Sequence, residues 1–311
     1  GGWTIGSDKL SSTGFEISSS GGTVGSNLVI SSSNFKVNSR GDVVGGVNNI
    51  LDSTSTGSAI LTGYSNVITM SSYASAIAAG HNNKIADGTD QSFIGSGDSN
   101  LISGSADGTV IVGGRSNLIT LNSGESFIGG GLYNKILNGS YRSVIVGGST
   151  NTIKDTSYLS VIVGGGQNII GPSSYRCFIG GGQNNSASND SFDSFIGAGG
   201  YNKINDLSDS NFIGAGYYNF IGHFGGFPIV RYNFIGAGYS NEIRDRADYS
   251  GIVSGLDNTI SASNFSFIGG GSRNIIKSFS SSSMILGGSS NTISGSDNSS
   301  IIGNNNSTAG Y

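Results

Sequence analysis

One cysteine, two prolines, one tryptophan and two histidines are all that 311 residues contain of these types. Cys177 alone can build neither an intrachain disulfide framework nor a cysteine-based metal site. His81 and His223 are eight repeats apart in the pattern described below, roughly 40 Å at one inter-strand spacing per repeat, too far to act together. No apolar run reaches the roughly 18 residues that a membrane helix needs. The 15 basic residues face 19 acidic ones for a net charge of −4, and no basic stripe is present to neutralise a phosphate backbone, so nucleic acid is not the expected partner. The chain opens Gly1-Gly2-Trp3, without Met or a signal-peptide pattern, and is expected to be a segment of a longer protein.

Glycine, by contrast, fills 54 positions, and the hydrophobic fraction of 35% recurs at fixed intervals. Asparagines recur every 17 residues from Asn49 to Asn219, through Asn100, Asn117, Asn134, Asn151 and Asn168. The series continues at Asn241, Asn258, Asn274 and Asn291 with steps of 22, 17, 16 and 17, and Thr308 stands where the next asparagine would fall. Three residues before each asparagine is glycine, and four before is Gly, Ala, Ser or Thr. Such a position needs positive φ or no Cβ. Six before stands Val43 and then Ile in every later copy, while two after is Ile or Leu except at Ala187. The intervening Ser, Thr, Asn, Asp and Gly supply turns, and no helical period survives. The expected fold is all-β: a β-solenoid or β-roll of about fifteen 17-residue coils spanning 42–311, with the asparagines stacked as a structural ladder. Residues 1–41 do not keep the step and are expected to form an N-terminal β shaft or cap.

A second pattern concerns the residues seven and five before each asparagine. Phe93, Phe127, Phe178, Phe195, Phe212, Phe234 and Phe267 are each followed two residues later by glycine, whereas Val110, Val144 and Val161 are followed by Val, and Ala59 and Met284 by Leu. Residues i and i+2 share one face of a strand, so this trade holds the volume of that face nearly constant. The intervening Ile points the other way and fills the coil. Two explanations are open. Either identical chains cover the Phe/Gly face, making those phenylalanines an oligomer interface, or a wider single-chain coil encloses both faces.

Candidate binding residues are aromatic. An insertion near 222–230 carries His223, Phe224, Phe227 and Pro228 and follows Tyr217 and Tyr218; an enlarged aromatic loop on a regular scaffold is a place for a ligand. Ten residues before the asparagine, Tyr141, Tyr158, Tyr175 and Phe192 form a column, with Tyr73 further up. This column reads either as a sugar-stacking ridge or as a structural ladder. Tyr133, Tyr201 and Tyr239 occupy the Gly-x-x-Asn turn and are expected to be exposed. No catalytic, metal or cofactor residues are assigned. Paired loop acids, among them Asp87 with Asp90, Asp190 with Asp193, Asp206 with Asp209 and Asp245 with Asp248, match no repeating ligand spacing and read as solvated. His81 reads as a solvated turn residue, and Cys177 as a small filler where most coils have Ser.

The recurring "SFIGGG" and "SVIVGG" strands, each followed by an Asn-x-Ile step, resemble the β-roll heads of trimeric autotransporter adhesins. The opening "GGWTIGSDKLSS" with "FKVNSRGDV" resembles segments of tailed-bacteriophage tail fibres. The resemblance implies an elongated homotrimer at a virion tail fibre or a cell surface, spacing or presenting receptor-binding loops to bacterial or host surface polysaccharide, without membrane insertion. The competing readings are a polysaccharide depolymerase built on a trimeric solenoid and an ice-binding solenoid; for the latter, the ordered Thr-x-Thr rows it requires are missing.

Overall fold

The computed structural model describes residues 34–37, 41–223 and 229–310 in full, and the backbone of the strands Thr4–Ile5, Lys9–Ser12, Phe15–Ser19 and Leu28–Ser32. All regular elements among these residues are strands, and from Val43 onward they wind as a β-solenoid of about fifteen coils spaced about 17 residues apart. The chain divides into two compact units, Gly1–Arg142 and Ser143–Tyr311.

In the first unit the four N-terminal strands and Phe35–Val37 form an antiparallel meander, and Phe35–Val37 pairs antiparallel with Val43–Gly45. That pairing covers the open edge of the first coil, where unpaired backbone groups would otherwise template another chain. From there every pairing is parallel. One sheet runs from Val43–Gly45 through Ala59–Ile60 to Phe127–Ile128, and a second from Ile50–Leu51 through Val67–Ile68 to Lys135–Ile136. The first coil departs from the expected alignment: Val44, not Val43, stands opposite Ile60. In the second unit the corresponding sheets run from Val144–Ile145 to Ser300–Ile302 and from Thr152–Ile153 to Ser307–Ala309. A short third sheet joins Ser191–Phe192, Ser208–Asp209 and Val230–Arg231.

The two isoleucine columns, such as Ile179, Ile196 and Ile213 on one sheet and Ile170, Ile204 and Ile221 on the other, are completely buried and fill the coil. Two further columns lie inside that the sequence reading had assigned to turns. The Ser, Thr or Cys eight residues before the asparagine, as at Ser75, Ser92, Ser143, Ser160 and Cys177, and the residue eleven before, as at Ser72, Ser157, Ser174 and Ser191, are nearly or wholly inaccessible. A hydroxyl can enter because its polar needs are met by the neighbouring coil. Ser160 Oγ donates to the Ser174 carbonyl at 3.1 Å and accepts from the Cys177 N–H at 3.2 Å. The small interior is therefore built from branched hydrocarbon and from small polar side chains that are mostly hydrogen-bonded, Ser208 Oγ and Asn233 Nδ2 being exceptions.

The asparagines complete it. Asn202 is buried; its Oδ1 accepts from the Asn219 N–H at 3.1 Å, while Nδ2 donates to Ala198 O at 3.0 Å and to Gly216 O at 2.9 Å. The same bonds recur at Asn100, Asn117 and Asn168. The glycine three residues earlier has positive φ, +83° at Gly182 and +96° at Gly199, and a Cβ there would strike the backbone of the next coil. The chain also turns left-handed at non-glycine corners, as at Thr150, Gln167 and Asn184 before the asparagine and Leu159 and Arg176 nine before it.

Both length changes within the series fall at one corner, between the residue three after an asparagine and the buried residue eleven before the next. Seven residues separate Gly222 from Val230, one separates Ser261 from Ser263, and two separate Lys154 from Ser157 in a regular coil. The last coil is shortened as well, and Asn306, rather than the residue at Thr308, donates its N–H to Asn291 Oδ1 at 3.0 Å. Thr308 stands opposite Ile293.

Candidate functional site

The phenylalanines of the first sheet lie on the outside of the coil, opposite to the buried isoleucines. This overturns the alternative of a wide coil enclosing both faces. Phe93, Phe234 and Phe267 are more than a third exposed, and Phe127, Phe178, Phe195 and Phe212 are half-buried. In the second unit Phe178, Phe195, Phe212 and Phe234 stack face to face with centroids 4.9, 4.9 and 5.2 Å apart. Each ring leans over its own glycine: a Cβ on Gly197 would sit 3.3 Å from Phe195 Cε1, and one on Gly214 3.2 Å from Phe212 Cε1. A Cβ on either glycine would first strike the carbonyl oxygen of the next coil, Gly214 O for Gly197 and Gly236 O for Gly214, so the exchange of volume reflects the close approach of that coil as well as the seating of the ring. The paired valines expose Val146 and Val163 on the same face.

A second surface is tyrosine-rich. Tyr217 and Tyr218 occupy the turn before Asn219, and the neighbouring turns bring Tyr201 and Tyr239 to them. Tyr217 lies 4.7 Å from Tyr218, 5.3 Å from Tyr201 and 6.0 Å from Tyr239 between centroids, and all four rings are exposed. Gly200 makes room for the Tyr217 ring, which lies where a Cβ would project. Partial desolvation, and then the neighbouring phenols, raise the Tyr217 hydroxyl above its usual range.

His223 does not join this patch, because the strand Phe220–Gly222 separates it from the turn by roughly 13 Å at the strand rise. It belongs to a polar corner, with Nδ1 2.9 Å from Asp245 Oδ1, and Ser261 Oγ donates to Asp245 Oδ2 at 3.2 Å. Phe224, Phe227 and Pro228 lie outside the described residues.

In the aromatic column Tyr158 stacks on Tyr175 at 4.1 Å, and Tyr175 meets Phe192 at 5.2 Å. Tyr232, Tyr249 and Phe265 form an adjacent column at 4.9 and 5.1 Å. That column escaped the sequence reading although its spacing of 17 and 16 residues follows the coils. Tyr141, in the first unit, borders a cleft of about 360 Å³ with Gln91, Asp107, Asn122, Gly124 and Glu125.

At least one acid of each loop pair is engaged rather than merely solvated. Asp90, Asp206 and Asp248 each accept a backbone N–H from the preceding coil, at Tyr73, Asn189 and Arg231. Asp193 forms a two-pronged pair with Arg176 at 2.6 Å. His81 is exposed, 2.9 Å from Asp98 Oδ1 and stacked on Tyr64 at 5.6 Å. Cys177 is buried, its Sγ 3.0 Å from the Ser191 carbonyl, and burial pushes the thiol up to about 12. It is consequently neither ionised nor accessible near neutrality. No family model matches the chain, and no curated protein does.

Proposed function

We propose that this chain is a structural and adhesive segment of an extracellular fibre, a tail fibre or surface adhesin, in which three copies pack through the Phe/Val face of the first sheet. The observation that carries this reading is the apolar row on the outside of a coil whose interior is already filled. In the second unit it runs from Val146 and Val163 through the stacked phenylalanines to Val253, Phe267 and Leu286. A row of this kind on a soluble chain marks an interaction surface. A second copy is the simplest partner, because it presents the same coil spacing, so its rings and valines meet the row in register. The exposed tyrosines then face outward as contacts for cell-surface glycan, with each phenol offering an apolar ring and a polar tip.

An adhesive role is favoured over a depolymerase because one acid of each loop pair is committed to a neighbouring coil: Asp90, Asp206 and Asp248 to backbone N–H groups, Asp193 to Arg176. Light scattering coupled to gel filtration tests the assembly. Three chain masses are expected; a folded single chain at micromolar concentration would remove the trimer, and the fibre reading with it.

A further inference from the structure

We propose that the cleft beside Tyr141, wholly within the first unit, is a saccharide site that takes a neutral pyranose. The inference rests on the reading of the chain as one that contacts surface glycan and assigns that contact a place and a chemistry. In this unit the position ten residues before the asparagine is filled by Tyr73, Asp90, Asp107, Gly124 and Tyr141 in successive coils. A ring therefore stands beside a rung that has no side chain, although a Cβ on Gly124 would lie 3.0 Å from the Asp107 carbonyl oxygen, and the space beside the ring is open. The cleft of about 360 Å³ includes that space, a volume at the small end of ligand sites.

Its lining combines one aromatic wall with groups that suit hydroxyls. Tyr141 is two-fifths exposed and offers apolar surface to the C–H face of a sugar. Gln91 and Asn122 each carry an amide that both donates and accepts, and the carboxylates of Asp107 and Glu125 accept. Sugar hydroxyls need both kinds of partner. The site is also held in shape before any ligand arrives. Asp107 Oδ1 accepts the Asp90 N–H at 2.8 Å, and Arg142 bridges back to Glu125 at 2.8 and 3.3 Å while lying 5.7 Å from the Tyr141 ring centre.

Charge selects within the sugars. The lining holds two carboxylates and no cation, and Arg142, which lies over the Tyr141 ring, is already paired with one of them. The Arg142 guanidinium keeps Glu125 below the usual carboxylate range, so at neutral pH Glu125 accepts and does not donate. A uronic or sialic acid would bring a third negative charge into this space, whereas a neutral hexose or deoxyhexose meets only hydrogen-bonding groups.

Saturation-transfer-difference NMR on the intact chain tests the site, with D-glucose, D-galactose, D-mannose, N-acetyl-D-glucosamine and L-rhamnose as probes and D-glucuronic acid as the charged control. At least one neutral sugar should receive saturation, and D-glucuronic acid should not. Tyr141→Ala should weaken binding of that sugar about fivefold, the equivalent of one aromatic contact. Gly124→Tyr should abolish it by filling that space; tyrosine is tolerated at this position of the coil, as at Tyr158 and Tyr175, and circular dichroism checks that both variants keep their fold. Lys203→Ala, on an exposed strand position of the second unit, should leave the signal unchanged. Transfer that survives Gly124→Tyr, transfer to D-glucuronic acid as strong as to the neutral sugars, or no transfer to any probe would overturn the site. A trimer without saturation transfer removes this site alone, whereas a folded monomer removes the fibre reading, so the two failures are separable.

Discussion

Gly181 and Gly182 are neighbours with opposite tolerances, and together they show how closely the coil constrains single residues. A Cβ on Gly181 meets nothing within 4 Å, whereas Gly182 has φ +83° and a Cβ there would collide with the Gly199 carbonyl of the next coil. Gly181→Ala should shift stability by less than about 0.5 kcal/mol. Gly182→Ala should cost about 3 kcal/mol or more, since left-handed strain and a backbone clash add; denaturant midpoints of the two variants decide it. Asn202→Ala removes the acceptor of the Asn219 N–H and the donor to two carbonyls, and about 2–3 kcal/mol should be lost in the same assay. Asp52 provides a pH dependence. Slight burial pushes its carboxyl upward, but hydrogen bonds from Thr54, the Met70 N–H and Ser55 outweigh this and bring it to about 2. Because the folded value lies below the unfolded one of about 3.9, the contribution of Asp52 is complete above pH 4 and fades as pH falls toward 2. Thermal melts across that window should show a step that Asp52→Asn removes.

Among elements, the corner between the second strand of one coil and the buried serine column of the next is where the described coils before the last one change length. It holds two residues in a regular coil, seven after Gly222 and one after Ser261, while the strands on either side keep their pairing, Phe220–Gly222 with Glu242–Arg244 and Thr259–Ser261 with Ile275–Lys277. Inserting five Gly/Ser residues between Asp155 and Thr156 should therefore cost only about 1 kcal/mol of loop entropy. The same insertion between Gly165 and Gly166 should unfold its coil, because it separates the glycine from the Asn168 that grips the turn. Limited proteolysis and circular dichroism distinguish the two. The period, the glycine turn and the inward isoleucines were legible in the sequence, because each repeats with one residue type that has one physical use. The serine columns were not, since serine is equally at home in a turn; only the carbonyl opposite Ser160 Oγ reveals that this hydroxyl is inside. The trade of Phe195 against Gly197 was visible as a correlation, but its causes, the ring leaning over the glycine and the Gly214 carbonyl of the next coil pressing on it, are not written in the residue types.

For the whole molecule, the exposed phenylalanine row links stability to association. If copies assemble through it, the thermal midpoint should rise with protein concentration, as it does whenever a partner binds only the folded state. Substituting Phe195 and Phe212 together with Ser should abolish that rise while the strand signal in circular dichroism persists, because neither ring contributes to the filled interior. Of the exposed aromatic surface, Tyr217 and Tyr218 were readable from exposure rules for turns. The cleft beside Tyr141 was not, because it is made by what Gly124 lacks in the adjacent coil.

The bonds of each asparagine reach only its own turn and the coils on either side. A gene that gains or loses one whole repeat by recombination would then encode a chain whose remaining rungs all find the same neighbours as before. The length of the solenoid can change by duplication without a new folding problem to solve, and variants differing by single repeats are expected to express as ordered proteins.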